Sequence, residues 1–125
     1  GENVVWSACD FENFLEPRHE LPRPRADDEL EAAVALFVRA RWPFRLHATY
    51  GESVSRMLDV IERHAPRLAT RFVIDHAETV SDADIARVKR LGGGFAVQNR
   101  MYYQGEYFKA RYGADAAARA PPLRA

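Results

Sequence analysis

Two histidines, His47 and His76, are the residues whose type and spacing best suit chemistry. Each comes at the end of a short apolar run, and an amphipathic stretch separates the two runs. This order predicts a β-α-β unit with one imidazole at the C-terminal end of each parallel strand. Neighbouring strands lie about 4.8 Å apart, so the two side chains could hold one metal ion. The alternative is that each histidine is an ordinary polar residue at the rim of a sheet.

Two carboxylates flank His76. Asp75 should face the other side of its strand, which makes it a poor partner for the neighbouring imidazole. Glu78 lies just beyond the strand, where it either reaches the site or stands at the entry of the next helix. A zinc ion is bound by three protein ligands in a catalytic site and by four in a structural site. The histidine pair is therefore incomplete without further ligands.

Helices and strands alternate around the two histidines. We expect a helix from Ala26, capped by Asp27 or Asp28, and later helices from Ser53 and after Ser81, the last ending at Gly92. We expect strands over 44–47, 71–76 and 95–98. The strands follow one another at a spacing of roughly 25–30 residues with a helix between them, without a repeat in the sequence. This alternation predicts the α/β class with a parallel sheet. Active sites of such folds gather at the C-terminal edge of the strands, which is where both histidines fall.

We divide the chain into an irregular N-terminal arm over 1–25, βα units over 26–100, and an aromatic loop or short helix with a tail over 101–125. A (β/α)8 barrel typically takes about 250 residues, so these units would form about half of a TIM-type barrel. The start without methionine and the loop-like end indicate a truncated fragment of a longer protein. Because such a sheet has open edges, we expect the fragment to self-associate.

Composition excludes several classes of function. The chain has 18 basic and 18 acidic residues, so no net field favours nucleic acid or an anionic membrane. No apolar run approaches the roughly 20 residues of a membrane span. Cys9 is the only cysteine, which excludes an internal disulfide and fits a reducing, cytoplasmic location. We therefore expect neither nucleic acid nor a membrane as a partner.

Four segments resemble, in order, the second half of the amidohydrolase superfamily, and most closely its amidohydrolase family 3 branch. They are Leu-His-Ala-Thr at 46–49, Asp-His-Ala-Glu at 75–78, Ser-Asp-Ala-Asp-Ile-Ala-Arg at 81–87, and Leu-Gly-Gly-Gly-Phe-Ala-Val-Gln at 91–98. In that branch the fifth and sixth barrel strands end in His-Ala pairs, and the seventh ends near a glutamine. The resemblance covers roughly residues 26–125.

The resemblance implies a metal-dependent hydrolase that cleaves amide-type C–N bonds with a metal-activated water. His47 and His76 would be the strand-five and strand-six ligands of a divalent metal, usually zinc. Gln98 would help to shape the substrate pocket. Two nearby tyrosines, Tyr102 and Tyr103, could line the same pocket or simply pack over the sheet edge. The substrate would be a small molecule, and Arg100 could bind a carboxylate group on it.

The chain also departs from the branch. Residues 50–52 read Tyr-Gly-Glu where Gly-Asp is usual, and Asp75 replaces the usual glutamate. The His-x-His of strand one, the strand-four ligand and the strand-eight aspartate match nothing here. We therefore assign no catalytic residue and expect the fragment to be inactive in isolation. Two alternatives stay open: a small non-catalytic flavodoxin-like α/β binding domain, and another metal-dependent barrel such as a deaminase.

Overall fold

The computed structural model describes residues 25–98 and 100–123. The elements are α1 (Arg25–Ala40), β1 (Phe44–Ala48), α2 (Gly51–Arg63), a 3-10 turn (Ala65–Arg67), β2 (Phe72–His76), α3 (Asp82–Arg90), β3 (Gly94–Ala96), α4 (Met101–Tyr112) and α5 (Ala114–Ala117). The N-terminal arm and Cys9 lie outside the described residues. In the described part of the chain, no helix is both long and apolar enough to cross a membrane.

The three strands form one parallel sheet in the order β1-β2-β3. The predicted α/β class with a parallel sheet is confirmed. Helix α2 connects β1 to β2, and α3 connects β2 to β3. Right-handed crossovers are nearly universal in such units, and consecutive strand order then keeps both connecting helices on the same face of the sheet.

The core lies between this face and the helices. Alternate residues of β1 and β2 are buried there: Phe44, Leu46, Ala48, Phe72 and Ile74. They pack with the apolar side chains of α1 and α2, which include Leu30, Val34, Val54, Met57, Leu58 and Ile61. The helical spacings in the sequence predict these positions, and burial contributes about 1.5–3 kcal/mol for each large apolar side chain.

Several element boundaries differ from the predicted ones. Helix α1 begins at Arg25, so Asp27 and Asp28 lie in its first turn rather than at the cap; there they still favour the positive end of the helix dipole. Helix α2 begins at Gly51, two residues before Ser53. The aromatic segment after β3 folds into the twelve-residue helix α4 and the short α5.

The predicted cap of α3 is confirmed at Ser81, whose hydroxyl accepts a hydrogen bond from the Asp84 backbone N–H at 3.1 Å. In the described part of the chain, the Asp84 carboxylate does not accept the hydrogen bond from the Ser81 backbone N–H that would complete a capping box. It instead accepts hydrogen bonds from the hydroxyls of Ser55 and Ser81, at 2.6 and 2.9 Å. Gly92 has φ +73°, which is the left-handed C′ conformation that favours glycine.

Arg87 ties α3 to α2. Its guanidinium donates to both carboxylate oxygens of Glu62, at 3.0 and 2.8 Å, to Asp59 at 2.6 Å and to Asp84 at 3.0 Å. The hydrogen bond from Arg87 lowers the pKa of Glu62. Burial raises the pKa of Asp84, but the hydrogen bonds from Ser55 and its other donors outweigh that effect and hold the pKa below its usual value.

We expect Arg87→Met to lower the free energy of unfolding at pH 7 by about 2 kcal/mol, because it removes hydrogen bonds to the partly buried carboxylate of Glu62 and the buried carboxylate of Asp84. Carboxylates with lowered pKa stabilise the fold above about pH 4, and that stability is lost as the pH falls through the lowered pKa. The deficit should therefore shrink at pH 3. Urea unfolding followed by circular dichroism at both pH values measures it.

Arg90→Met is the matched control, because Arg90 is exposed and makes a single hydrogen bond of 2.7 Å to Glu62. Exposed ion pairs contribute about 0–1 kcal/mol, so this variant should change the free energy of unfolding little. An equal deficit for Arg87→Met at pH 7 and pH 3 would mean that packing, rather than charge, is what the arginine supplies.

Candidate functional site

The two histidine rings lie side by side at the C-terminal edge of the sheet. Their ring centroids are 4.3 Å apart, and the ring planes make an angle of 65°. Nε2 of His47 and Nδ1 of His76 are both shielded from solvent. The structure therefore brings together the two residues that the sequence singles out. Their assignment as metal ligands stays a prediction.

The two histidines do not occupy equivalent positions in the strand pairing. His47 pairs with Asp75, and Ala48 pairs with His76. In a regular strand the offset of one residue would send the two imidazoles to opposite faces. The backbone of His76 is left-handed, with φ +74°, and that of Ala77 follows with φ +51°. This turn at the end of β2 accompanies the meeting of the two rings.

A left-handed backbone costs roughly 1–2 kcal/mol for a residue with a side chain. Two such residues in succession at the end of a strand persist because the surrounding loop is held from several sides. The Ala77 N–H donates to the Ala48 carbonyl at 2.8 Å, and the Thr79 N–H donates to the Thr49 carbonyl at 3.3 Å. The Thr79 hydroxyl accepts from the Gly51 N–H at 2.8 Å. The loops that follow β1 and β2 thus form one hydrogen-bonded rim beside the histidines.

Asp75 lies on the sheet face that is opposite to the helices. Its carboxylate accepts hydrogen bonds from Arg45. Nη2 of the arginine lies 2.6 Å from one carboxylate oxygen, and Nε lies 3.2 Å from each of the two oxygens. The ion pair joins β1 to β2. Arg45 lies two residues before His47 in β1, so the two side chains are on the same face of that strand. Sequence reasoning missed the pair, although an arginine two residues before a strand-end histidine was a usable signal.

Glu78 is completely buried. Its carboxylate forms an ion pair with Arg100, whose Nε and Nη2 donate at 3.0 and 2.5 Å. The ion pair joins the β2–α3 loop to the start of α4. Whether Glu78 reaches the histidine site or serves as a carboxylate at the helix entry stays a prediction. The proposed contact of Arg100 with a substrate carboxylate stays a prediction.

The other residues assigned to substrate binding are exposed. Gln98 lies just after β3, and the side chains of Tyr102 and Tyr103 are 83% and 75% exposed. The two tyrosine rings make an edge-to-face contact with centroids 5.0 Å apart. Their role in substrate binding is not decided by this placement.

Sequence reasoning missed the contact that holds α4 to the sheet edge. Tyr50 precedes α2 and is 3% exposed, while Phe108 of α4 is 1% exposed, and the two belong to a small second apolar cluster. Beside them lies a cavity of about 460 Å³, whose lining also includes Gly51, Thr79 and Ser81. Neither histidine belongs to the described lining of this cavity.

Within residues 25–98 and 100–123, no group of three or more His, Cys, Asp or Glu side chains is placed to hold a metal ion. The chemistry available to the described residues is thus two adjacent imidazole donors at a partly shielded rim. Two nitrogen donors fit part of a zinc ligand set, which needs at least three protein ligands.

Comparison with known proteins gives one match. A family model described as the amidohydrolase family matches residues 1–125, which is the whole chain. No curated protein and no solved structure matches the chain. The order of the histidine-bearing strands agrees with the segments by which the sequence resembles that family. The chain belongs to the amidohydrolase family.

Proposed function

We propose that this chain supplies consecutive βα units of a (β/α)8 barrel in a metal-dependent amidohydrolase that cleaves amide-type C–N bonds. The observation that carries the proposal is the contact between the rings of His47 and His76, with centroids 4.3 Å apart. The contact lies at the C-terminal edge of parallel strands, where barrel enzymes build their active sites.

The polar face of the sheet, more than its strand order, supports a barrel over the flavodoxin-like alternative. A doubly wound sheet needs a reversal of strand order, which puts helices on both faces. The described strands run in consecutive order without a reversal. The face opposite to the helices carries polar side chains, among them Arg45, His47 and Asp75. In a barrel this face would look inward, toward the substrate.

His47 and His76 are proposed to hold a divalent metal, and imidazole donors suit zinc. When bound, the metal would supply a Lewis acid that polarises the scissile carbonyl and lowers the pKa of a water molecule. The remaining ligands and the proton shuttle are proposed to come from barrel strands other than the three described here. The left-handed turn at His76 orients its imidazole toward His47, so the backbone preorganises the pair before any ligand arrives.

The residues after β3 are proposed to contact the substrate. Gln98 and the exposed rings of Tyr102 and Tyr103 lie along the segment that leaves the sheet at the same edge as the histidines. Amide hydrogen-bonding groups and aromatic faces suit a small substrate that combines a polar amide with an apolar substituent. Arg100 is proposed to contribute positive charge to the same region.

The test is metal analysis together with a hydrolysis assay on the protein that contains all barrel strands. We expect at least one zinc per chain after dialysis, hydrolysis of N-substituted amides, and loss of hydrolysis on chelation that zinc restores. A protein that retains no divalent metal, or that hydrolyses amides equally well with a chelator present, would refute the assignment.

A further inference from the structure

Glu78 and Arg100 form an ion pair, and the proposed function assigns no role to Glu78 or to the pairing. The Glu78 side chain is completely buried, and the Arg100 side chain is 17% exposed. A buried carboxylate is costly unless it is paired, and here two donors of one guanidinium reach its two oxygens. Breaking such a pair leaves a buried charge behind, so the two side chains act as a unit.

The pair connects two segments that carry site residues. Glu78 follows His76 by two positions, in the loop whose backbone is already tied to the loop after β1. Arg100 starts α4, because its carbonyl accepts the N–H groups of Tyr103 and Gln104 at 2.9 and 3.0 Å. The same residue therefore begins the helix with its backbone and anchors it with its side chain.

The apolar packing of α4 is limited. Within α4, all of whose residues the structure describes, Phe108 is the only buried residue. It forms a small cluster with Tyr50, and the partly buried Met101 of the same helix packs against that cluster. The ion pair of Arg100 adds a charged contact at the first turn of α4, to a carboxylate that is completely buried. The start of the helix is therefore held by this ion pair as well as by apolar packing.

We propose that the Glu78–Arg100 pair is a positioning clamp. It holds the start of α4, and with it Gln98 and the tyrosines Tyr102 and Tyr103, at a fixed place relative to His76. That these groups contact substrate rests on the proposed function. The clamp itself rests only on the ion pair and the packing of α4. It should govern substrate affinity more than the chemical step.

Amide hydrogen exchange tests the clamp on the chain itself. In Glu78→Gln and Arg100→Met we expect amides of α4 to exchange at least about tenfold faster, while those of β1 and β2 change little. Arg100→Lys keeps the charge and one donor, so it should restore part of the protection. Glu106→Gln, an exposed carboxylate on the same helix, is the matched control and should leave exchange unchanged.

Unchanged α4 exchange in both variants would overturn the clamp, as would equal exchange in Arg100→Lys and Arg100→Met, because volume rather than charge would then hold the helix. If Glu78→Gln unfolds altogether, the Lys and Met comparison still decides. In the hydrolysis assay on N-substituted amides, Glu78→Gln should raise KM severalfold and leave kcat within about threefold, because Glu78 is not among the residues proposed to contact the substrate. A wild-type protein without hydrolysis would refute the proposed function and leave the exchange result standing.

Discussion

His47→Ala and His76→Ala are each expected to lower zinc affinity at least about 100-fold and to abolish measurable amide hydrolysis in the protein with all its barrel strands. Loss even of a group that only orients a metal ligand typically costs 10–100-fold, and removal of a ligand should exceed that. Each variant leaves one imidazole of the pair, which cannot compensate because the two rings occupy adjacent, separate positions at the rim. Zinc content after dialysis against a weak chelator measures the effect.

His64→Ala is the matched control. This histidine lies at the C-terminal end of α2, and its Nε2 is 2.7 Å from a carboxylate oxygen of Glu31. Burial raises the pKa of Glu31, but hydrogen bonds from Arg63 and His64 outweigh that effect and lower it overall. The control should therefore keep its zinc and lose a little stability above pH 4. Retention of full zinc content by His47→Ala would remove the basis of the metal proposal.

The sequence predicts the elements around the histidines well, because their signals are local. Apolar residues at helical spacing on α2, among them Val54, Met57 and Ile61, are buried as expected. Pro43 separates α1 from β1, and Ser81 caps α3. These features depend on residues within one or two turns of each other, so a single chain carries enough information to place them.

The geometry of the site depends on longer-range effects and could not be predicted. Strand alternation alone would separate His47 from His76, given a register that pairs His47 with Asp75. The left-handed backbone at His76 and Ala77 could not be predicted from the sequence, because residues other than glycine adopt it in only a few per cent of cases. It follows from hydrogen bonds between two loops that are about 28 residues apart in the chain.

Ion pairs between residues that are far apart in the chain could not be predicted from the sequence either. The sequence shows Glu78 and Arg100 as separate charges, and each invites a functional interpretation of its own. Only packing reveals that each is the partner of the other. For the segment after β3 the sequence leaves an aromatic loop and a short helix open, and the structure shows helix α4 with Phe108 as its buried residue.

Gly93→Ala is expected to destabilise the chain by about 3 kcal/mol, which is a large fraction of the roughly 5–15 kcal/mol that stabilises an ordinary domain. A Cβ at this position would lie 2.3 Å from Cζ of Phe72 and under 3 Å from two further ring atoms. Phe72 is 1% exposed and stacks on Phe44, with ring centroids 5.8 Å apart. The ring cannot move aside without disturbing the core beneath β1 and β2.

Gly94→Ala, one residue later, separates this steric effect from a general intolerance of the glycine run. A Cβ there meets no described atom within 4 Å, and the residue lies in β3 in register with Val73, so the substitution should change stability by less than about 1 kcal/mol. Thermal unfolding of the two variants beside wild type gives the comparison.

Because Phe72 belongs to the strand that ends in His76, a tolerated Gly93→Ala would require β2 to shift, and the contact between the two histidine rings should then loosen. Comparable melting temperatures for Gly93→Ala and Gly94→Ala, with the imidazole contact intact, would show that β2 is not held against this loop as the structure has it.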